Sequence, residues 1–447
     1  MQNGDYLSLA QDVLALAKSR GADEAEVRVR TGKDVEVTVR RGDVEKIVHN
    51  GTKRLSMRVF LGKRTGAAST CDFRRAALEQ CVADAIDLAG IGDADPAAGL
   101  PEAVLAPRDA AALDIYDPAL ENLTTDQATD LARRAEAAAF AYDSRITNSD
   151  DGTAGYGTNM TALANSRGFA GAYRSGSAWL QLEAIADDAE GKKRNAWWST
   201  SNRRIGKLED PESVGRQAAE RAVQQLGARK ATTCEVPVVW DPHVGAAFLW
   251  MLFAAASGHN VYRRTSFLLD RAGEQIAAPG VTITDDATMP GLMGSRPFDG
   301  EGVPARRTSI FEHGVFKTFL YDTYSARRAG RQSTGNASNG GGITFSNLYM
   351  HPGAHTPEQI IASVDNGLYL TGLLGHGENL TTGDFSRGAQ GVWIENGQLT
   401  YPVAEINISG KLQDMLQDTD MIGNDLVWRG HQAAPTFRMR KLVVSGT

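Results

Sequence analysis

Two kinds of hydrophobic pattern alternate along the first part of the chain. Apolar residues at helical spacing over Leu7–Ser19, ended by Gly21, predict a helix. Apolar and charged residues alternate strictly over Ala25–Arg30, Val35–Arg40 and Lys53–Leu61. This alternation predicts an antiparallel sheet with one face on the core and the other face in water.

The same patterns return further along the chain. Helical spacing predicts helices over Arg74–Leu88, Thr125–Phe140 and Pro211–Leu226. Between the first two of these helices lies an Ala-rich stretch with several prolines, from Pro96 to Pro118. This composition predicts a connection on the surface. Short strands fill Ile146–Ser201. Their predicted turns are Asp150-Asp151-Gly152 and Ser166-Arg167-Gly168.

The character of the sequence changes over Gly227–Cys234, which predicts an N-terminal domain of residues 1–228 and a C-terminal domain of residues 229–447. The apolar run Val244–Ser257 has 14 residues. A membrane span needs about 20 residues, so the run indicates a buried helix. Hairpins centred on His313-Gly314 and Asn396-Gly397 follow. We therefore expect an α+β protein: an antiparallel sheet with helices, then a β-rich domain around one buried helix.

Charge and cysteine content narrow the class of protein. The formal net charge is −7, which disfavours binding to nucleic acid or to an anionic membrane surface, because phosphate contact requires a concentrated basic surface. The N-terminus has no basic segment followed by an apolar one, so we expect no signal peptide. Three cysteines without a CxxC pair support neither a disulfide framework nor a zinc ribbon. These features favour the cytoplasm.

The common catalytic motifs are absent from the sequence. None of the eight histidines belongs to an HExxH string. His243 and His259 lie 16 positions apart, on opposite faces of a regular helix, so they share a metal only if the helix breaks. The pair His351 and His355 spans Pro352-Gly353, which indicates a turn, and His376 lies beside Glu378 in a glycine-rich loop. Neither a P-loop nor a GxSxG string occurs.

Three long strings carry a resemblance to a known family: EGVPARRTSIFEHGVFKTFLYDTYSARRAGRQSTGNAS at Glu301–Ser338, TTGDFSRGAQGVWIENGQLTYPV at Thr381–Val403, and the stretch Glu405–Leu426. They resemble the TldD/PmbA family, also called modulators of DNA gyrase. The resemblance implies a peptidase-like fold and two branches. The TldD branch is a zinc peptidase with a His-Glu-x-x-x-His helix, and the PmbA (TldE) branch is its partner without that motif.

The resemblance can be applied to this chain residue by residue. Aligned on Gly258-His259, the second metal histidine of the motif falls on His259, the first on Ala254 and the glutamate on Ala255. Alanine provides neither a metal ligand nor a general base. The family's cysteine ligand near the C-terminus is also missing, because the last cysteine is Cys234 and the tail carries His431 instead. The chain therefore resembles the PmbA branch, with no catalytic residue and no metal of its own.

That branch implies a non-catalytic subunit of a TldD/TldE metallopeptidase complex, with zinc in the TldD-type catalytic partner and unfolded peptides as substrates. We expect a homodimer in isolation. The glycine-rich stretch Asn336–Ile343, with Asn336, Ser338, Gly340 and Gly341, is the candidate peptide-binding segment, either as a strand that a substrate backbone approaches or as a plain loop. Two alternatives stay open. One is a metallopeptidase with rearranged ligands, His259, His431 and a carboxylate such as Glu378 or Asp384. The other is a stand-alone factor that modulates gyrase through protein contact.

Overall fold

A computed structural model of the chain describes residues 3–102 and 105–446, with the side chain of Asn3 left out. The first sheet contains six antiparallel strands: β1 (Glu24–Arg40), β2 (Asp43–Leu61), β3 (Arg64–Thr70), β4 (Ile146–Asn165), β5 (Ala170–Asp187) and β6 (Lys193–Asn202). Their order across the sheet is β3-β2-β1-β4-β5-β6.

Two local predictions for this sheet are wrong. The predicted strands Ala25–Arg30 and Val35–Arg40 are parts of one strand, because β4 pairs with β1 continuously through the polar stretch between them. The predicted turn Asp150-Asp151-Gly152 is a bulge inside β4, with Asp151 at φ 48° and a register shift against β5. The predicted turn at Ser166-Arg167-Gly168 is confirmed, with Gly168 at φ 102°.

Four helices cover one face of the sheet: α1 (Asn3–Ser19), α2 (Arg75–Ile91), α3 (Thr125–Tyr142) and α4 (Pro211–Val223). All four confirm sequence predictions, because each begins or ends at a local signal. For example, α3 begins with a capping box in which Thr124 and Gln127 bond each other's main chain, and α4 begins at Pro211 after the capping carboxylate of Asp210. The inward side chains of β1, such as Val27 and Val29, are buried beneath them.

The stretch predicted as a surface connection is instead partly buried. Leu100 and Leu113 are almost completely buried, and Ile115 packs with Leu163 in a small apolar cluster. A short 3₁₀ helix follows at Pro118–Asn122, and two others lie at Ala189–Gly191 and Ile205–Lys207. Apolar side chains between the prolines explain the burial, since they gain more from packing than from exposure.

Among the described residues, twelve further strands follow: β7 (Cys234–Trp240), β8 (Ile283–Asp286), β9 (Arg307–Glu312), β10 (Val315–Phe316), β11 (Leu348–Met350), β12 (Asn366–Leu374), β13 (Asp384–Glu395), β14 (Gln398–Lys411), β15 (Thr419–Ile422), β16 (Val427–Arg429), β17 (Gln432–Ala434) and β18 (Phe437–Ser445). They form two more six-stranded sheets, in the orders β10-β9-β8-β11-β17-β16 and β14-β13-β12-β7-β18-β15. Because β14 also pairs with β18, five strands of the second of these sheets close into a barrel.

One long apolar helix lies at the centre of these sheets. This helix, α5 (Pro242–Ala255), packs Phe248 against Trp240 and Phe437. Short helices α6 (Gly258–Arg263), α7 (Thr323–Arg328), α8 (Pro357–Ala362) and α9 (Leu412–Gln417) complete the fold. The predicted fold class, an α+β protein with a β-rich part around one buried helix, is confirmed. The division at residues 228 and 229 stays a prediction.

The described residues contain no helix that is both long enough and apolar enough to cross a bilayer. The first sheet packs directly against the second half of the chain. The ring of Phe298 lies between Phe169 and Tyr173 of the first half, with ring centroids 5.1 and 5.2 Å away. This contact places the face of the first sheet that the four helices leave uncovered against the second half of the chain.

Candidate functional site

The helix is interrupted between the motif positions Ala254 and Ala255 on one side and His259 on the other. Helix α5 ends at Ala255, Ser257 is extended, and α6 begins at Gly258. Gly258 permits this turn, because a Cβ there would lie 2.3 Å from the ring of Tyr321. Ala255 is fully buried in the apolar core, and Ala254 is half-buried. Of the three motif positions, only His259 therefore presents a polar side chain.

The His259 imidazole is already paired with a carboxylate. Its Nε2 forms a hydrogen bond of 3.1 Å with Oδ2 of Asp322, while Oδ1 of Asp322 accepts bonds from the main chain and hydroxyl of Ser325. Asp322 thereby caps the start of α7. Burial raises the pKa of the Asp322 carboxyl, but the hydrogen bonds from His259 and Ser325 outweigh burial and leave the pKa below its ordinary value. Asp322 is thus a structural anion that orients His259.

A deep cleft lies beside this pair, between the first sheet and the second half of the chain. Its main chamber has a volume of about 610 Å³, and an adjoining chamber of about 470 Å³ contains His259. The residues shared by both chambers are Arg58, Glu301, Asp322, Tyr324 and Gly342. Clefts of this size are typical of ligand sites. We call the two chambers together the cleft.

The glycine-rich segment forms one wall of the cleft. Ser338, Gly340 and Gly341 line it, and their role in peptide binding stays a prediction. The segment is a hairpin loop, not a strand, closed by a bridge between Ala337 and Ile343. Asn336 lies outside the cleft: it is 1% exposed, and its amide donates to Asp285 and to the Thr344 main chain. Asn336 therefore supports the hairpin and does not face a ligand.

The opposite wall is the charged face of β1 and β2, which the alternating pattern predicts to lie in water. That prediction is wrong at this end of the sheet: Glu26 and Arg28 are 5% and 8% exposed, because the second half of the chain covers them. Arg28 donates to the main-chain oxygens of Asn339 and Gly300. Arg58 bridges Glu26, at 2.8 Å, and Glu301, at 3.1 Å.

The sequence alone does not identify these charged residues as parts of a site. The only local signal was the clustering of arginines and a glutamate on one predicted strand face. The partners Asn339 and Glu301 lie hundreds of positions away, so no local pattern indicates the contact.

The donor atoms near the motif do not fit a catalytic zinc site. Zinc requires at least three protein ligands, and here His259 and Asp322 are two groups already paired with each other. Across residues 3–102 and 105–446, no cluster of three His, Cys, Asp or Glu side chains is placed to hold a metal ion. The break after α5 does not unite His243 with His259, because His243 accepts a bond of 2.8 Å from Arg429.

The rearranged ligand set does not converge either. His431 packs on Phe345, with ring centroids 4.8 Å apart. The pKa of its imidazole is lowered mainly by burial and further by the positive charges of nearby arginines. Glu378 accepts from the main chain of Gly377, and Asp384 lies 3.8 Å from the Lys411 ammonium. These carboxylates occupy the loop before β13 and the start of that strand. The structure therefore places each of these groups in its own local interaction.

Comparison with known proteins agrees with this fold. Family profiles for the PmbA/TldA metallopeptidase match the chain in three consecutive parts: domain 1 over residues 25–89, the central domain over residues 118–226 and the C-terminal domain over residues 233–446. The chain belongs to the PmbA/TldD metallopeptidase family.

Individual relatives extend the match over nearly the whole chain. The metalloprotease PmbA of Escherichia coli O157:H7 is 35% identical over 433 residues, covering 97% of this chain and 94% of that protein. A crystal structure from Bacteroides thetaiotaomicron, described as a modulator of DNA gyrase, superposes with a TM-score of 0.90 at 28% identity and covers 98% of both chains. TldE from Thermococcus kodakarensis shares the fold, with a TM-score of 0.86 at 22% identity over 98% of this chain and 100% of that one.

Proposed function

We propose that this chain is the non-catalytic, TldE-type subunit of a two-subunit metallopeptidase that degrades or trims unfolded peptides. The observation that carries the proposal is the state of the three motif positions. Ala254 and Ala255 have no ligand atom, and the one remaining imidazole, His259, is bonded to Asp322. Zinc and the general base then belong to a TldD-type catalytic partner, and this subunit carries no cofactor.

The contribution of this subunit is a surface for an extended peptide. Strand β3 is an edge strand of the first sheet, and its residues Ala67, Ala68 and Ser69 line the cleft. Edge strands offer main-chain N–H and C=O groups that pair with a peptide of almost any sequence. The tip of the glycine hairpin faces the same space, and a Cβ at Gly340 or Gly341 would contact nothing within 4 Å.

The assembly follows from the division of roles. In isolation the chain forms a homodimer, and in the cell, in the cytoplasm, it pairs with the TldD-type subunit. The absence of ligand atoms at Ala254 and Ala255 supports the dependence on a partner, because water activation requires both a metal and a base.

A reconstitution assay tests this proposal. The full chain, a TldD-type subunit from the same organism and an equimolar mixture are each incubated with an unstructured peptide and zinc. We expect the mixture to cleave the peptide and this chain alone to leave it intact. Chelator-sensitive cleavage by this chain alone contradicts the proposal. Stable association with gyrase, together with no effect on the partner's peptidase activity, supports the gyrase-modulator alternative instead.

A further inference from the structure

Two arginines lie directly opposite each other on the cleft face of the first sheet. Arg30 of β1 pairs in register with Arg54 of β2, and both side chains are exposed and line the cleft. Like charges at opposed positions, whose Cβ atoms are about 4.5–5.5 Å apart, destabilise a sheet. Arg54 donates to the hydroxyl of Ser69 at 2.9 Å. Within the described part of the chain, neither arginine has a carboxylate partner.

The floor next to this arginine pair also offers hydrogen-bond donors. Arg28 lies two positions before Arg30 on the same face and is 8% exposed. Its terminal nitrogens are engaged by the hairpin and Gly300, but its buried Nε has no hydrogen-bond partner. Ser56 stands opposite Arg28, and Ser69 stands opposite Ser56. Two hydroxyls and three guanidinium groups at one end of a cleft suit an oxygen anion.

The other end of the cleft has the opposite polarity. Glu26, Glu301 and Asp322 line it, together with Arg58. Glu26 and Arg30 are four positions apart on β1, which is about 13 Å at the rise of a strand. A polyanion such as a nucleic acid would meet the carboxylates over that length. An extended peptide of about four residues spans the same distance and needs only one negative group, at the arginine end.

We propose that Arg30 and Arg54 form a subsite for a carboxylate of a peptide bound in the cleft. The carboxylate is either the peptide's C-terminus or an aspartate or glutamate side chain, because both present the same pair of oxygens to guanidinium groups. The peptide then runs from this subsite toward Glu26 and the His259–Asp322 pair. This inference rests on the proposed function, because it assigns an orientation in the cleft to the peptide that the proposed function requires.

A binding experiment with the full chain separates the two sources. One unstructured peptide without acidic residues, labelled at its N-terminus with an uncharged fluorophore, is prepared with a free C-terminal carboxylate, with a C-terminal amide, and with an amide plus one internal aspartate. Fluorescence anisotropy gives the dissociation constant of each. We expect the free acid, the aspartate version or both to bind about tenfold more tightly than the neutral amide, a preference that added salt weakens.

Matched variants test the residues themselves. Arg30→Gln and Arg54→Gln should each remove most of that preference, whereas Arg216→Gln, an exposed arginine on α4 outside the cleft, should keep it. Circular dichroism verifies that all three variants fold. Equal affinity for the three peptides overturns the subsite and leaves the proposed function standing. Loss of the preference in Arg216→Gln also overturns it. If no peptide binds and reconstitution gives no cleavage, the proposed function fails as well.

Discussion

Replacing Arg28 with methionine, a side chain of similar length without charge, tests how the cleft is held together. The guanidinium donates to the main-chain oxygens of Asn339 and Gly300 from a position that is 8% exposed. A hydrogen bond from a charged donor contributes about 1.5–3 kcal/mol, so the two bonds together contribute about 3–6 kcal/mol. We therefore expect Arg28→Met, which removes both bonds, to lower the free energy of unfolding by about 3–6 kcal/mol.

Two measurements test this expectation. Urea unfolding followed by circular dichroism gives the loss of stability. Hydrogen exchange with mass spectrometry reports whether residues 337–343 exchange faster. Arg30→Met is the matched control, since Arg30 lies two positions further on the same strand face and is exposed. It should change stability by less than about 0.5 kcal/mol. If the two variants lose equal stability and the hairpin exchanges at the wild-type rate, Arg28 does not hold the cleft.

Two further substitutions probe α5. Ala255→Glu places a carboxyl at a fully buried position, so we expect a loss of more than about 3 kcal/mol in thermal unfolding and no peptidase activity in a cleavage assay. His243→Gln tests how stability depends on pH. Burial is the main cause that lowers the pKa of the His243 imidazole to about 2, and the positive charges of Arg221 and Arg429 add to it. In the unfolded chain the His243 imidazole binds a proton below pH about 6.5, whereas in the folded chain it stays neutral. The free energy of unfolding of the wild type therefore falls by about 1.4 kcal/mol for each pH unit of acidification below that value. His243→Gln should lose this contribution to the dependence of stability on pH.

Each of these predictions has a control. Ala254→Glu adds the same carboxyl at the half-buried neighbouring position and should destabilise the protein less than Ala255→Glu. The amide introduced by His243→Gln keeps an oxygen that accepts from Arg429, so the comparison with wild type isolates the titration. Unfolding midpoints of wild type and His243→Gln that fall in parallel between about pH 7 and pH 5 would contradict the assignment. Peptide cleavage by Ala255→Glu would contradict the account of the motif.

Elements with local signals were predictable from the sequence. The hairpin at Asn396-Gly397 forms where expected, with both residues at positive φ, 52° and 75°, because that turn requires this backbone conformation. Helix α5 follows from its unbroken apolar run. The end of α5 was harder to predict, since the apolar pattern continues to Ser257 while the helix stops at Ala255. The ring of Tyr321 beside Gly258 accompanies this break, and it comes from a distant segment.

The candidate site was only partly predictable. The resemblance points to His259, and the glycine content of residues 336–343 points to the hairpin; both lie at the cleft. The charged wall was not found, because an alternating strand shows only that one face is polar and not what covers that face. Arg58 and Glu301 are 243 positions apart, so their pairing depends on how the two halves of the chain pack.

Zinc content tests the central claim most directly. The purified full chain is incubated with one equivalent of zinc, passed through a desalting column and analysed for metal, beside an Asp322→Asn variant and a His259→Ala variant. We expect far less than one zinc per chain in all three proteins, because His259 and Asp322 provide only two groups and these are bonded to each other. One tightly held zinc per wild-type chain, lost in His259→Ala, would contradict the claim that this chain has no catalytic metal site.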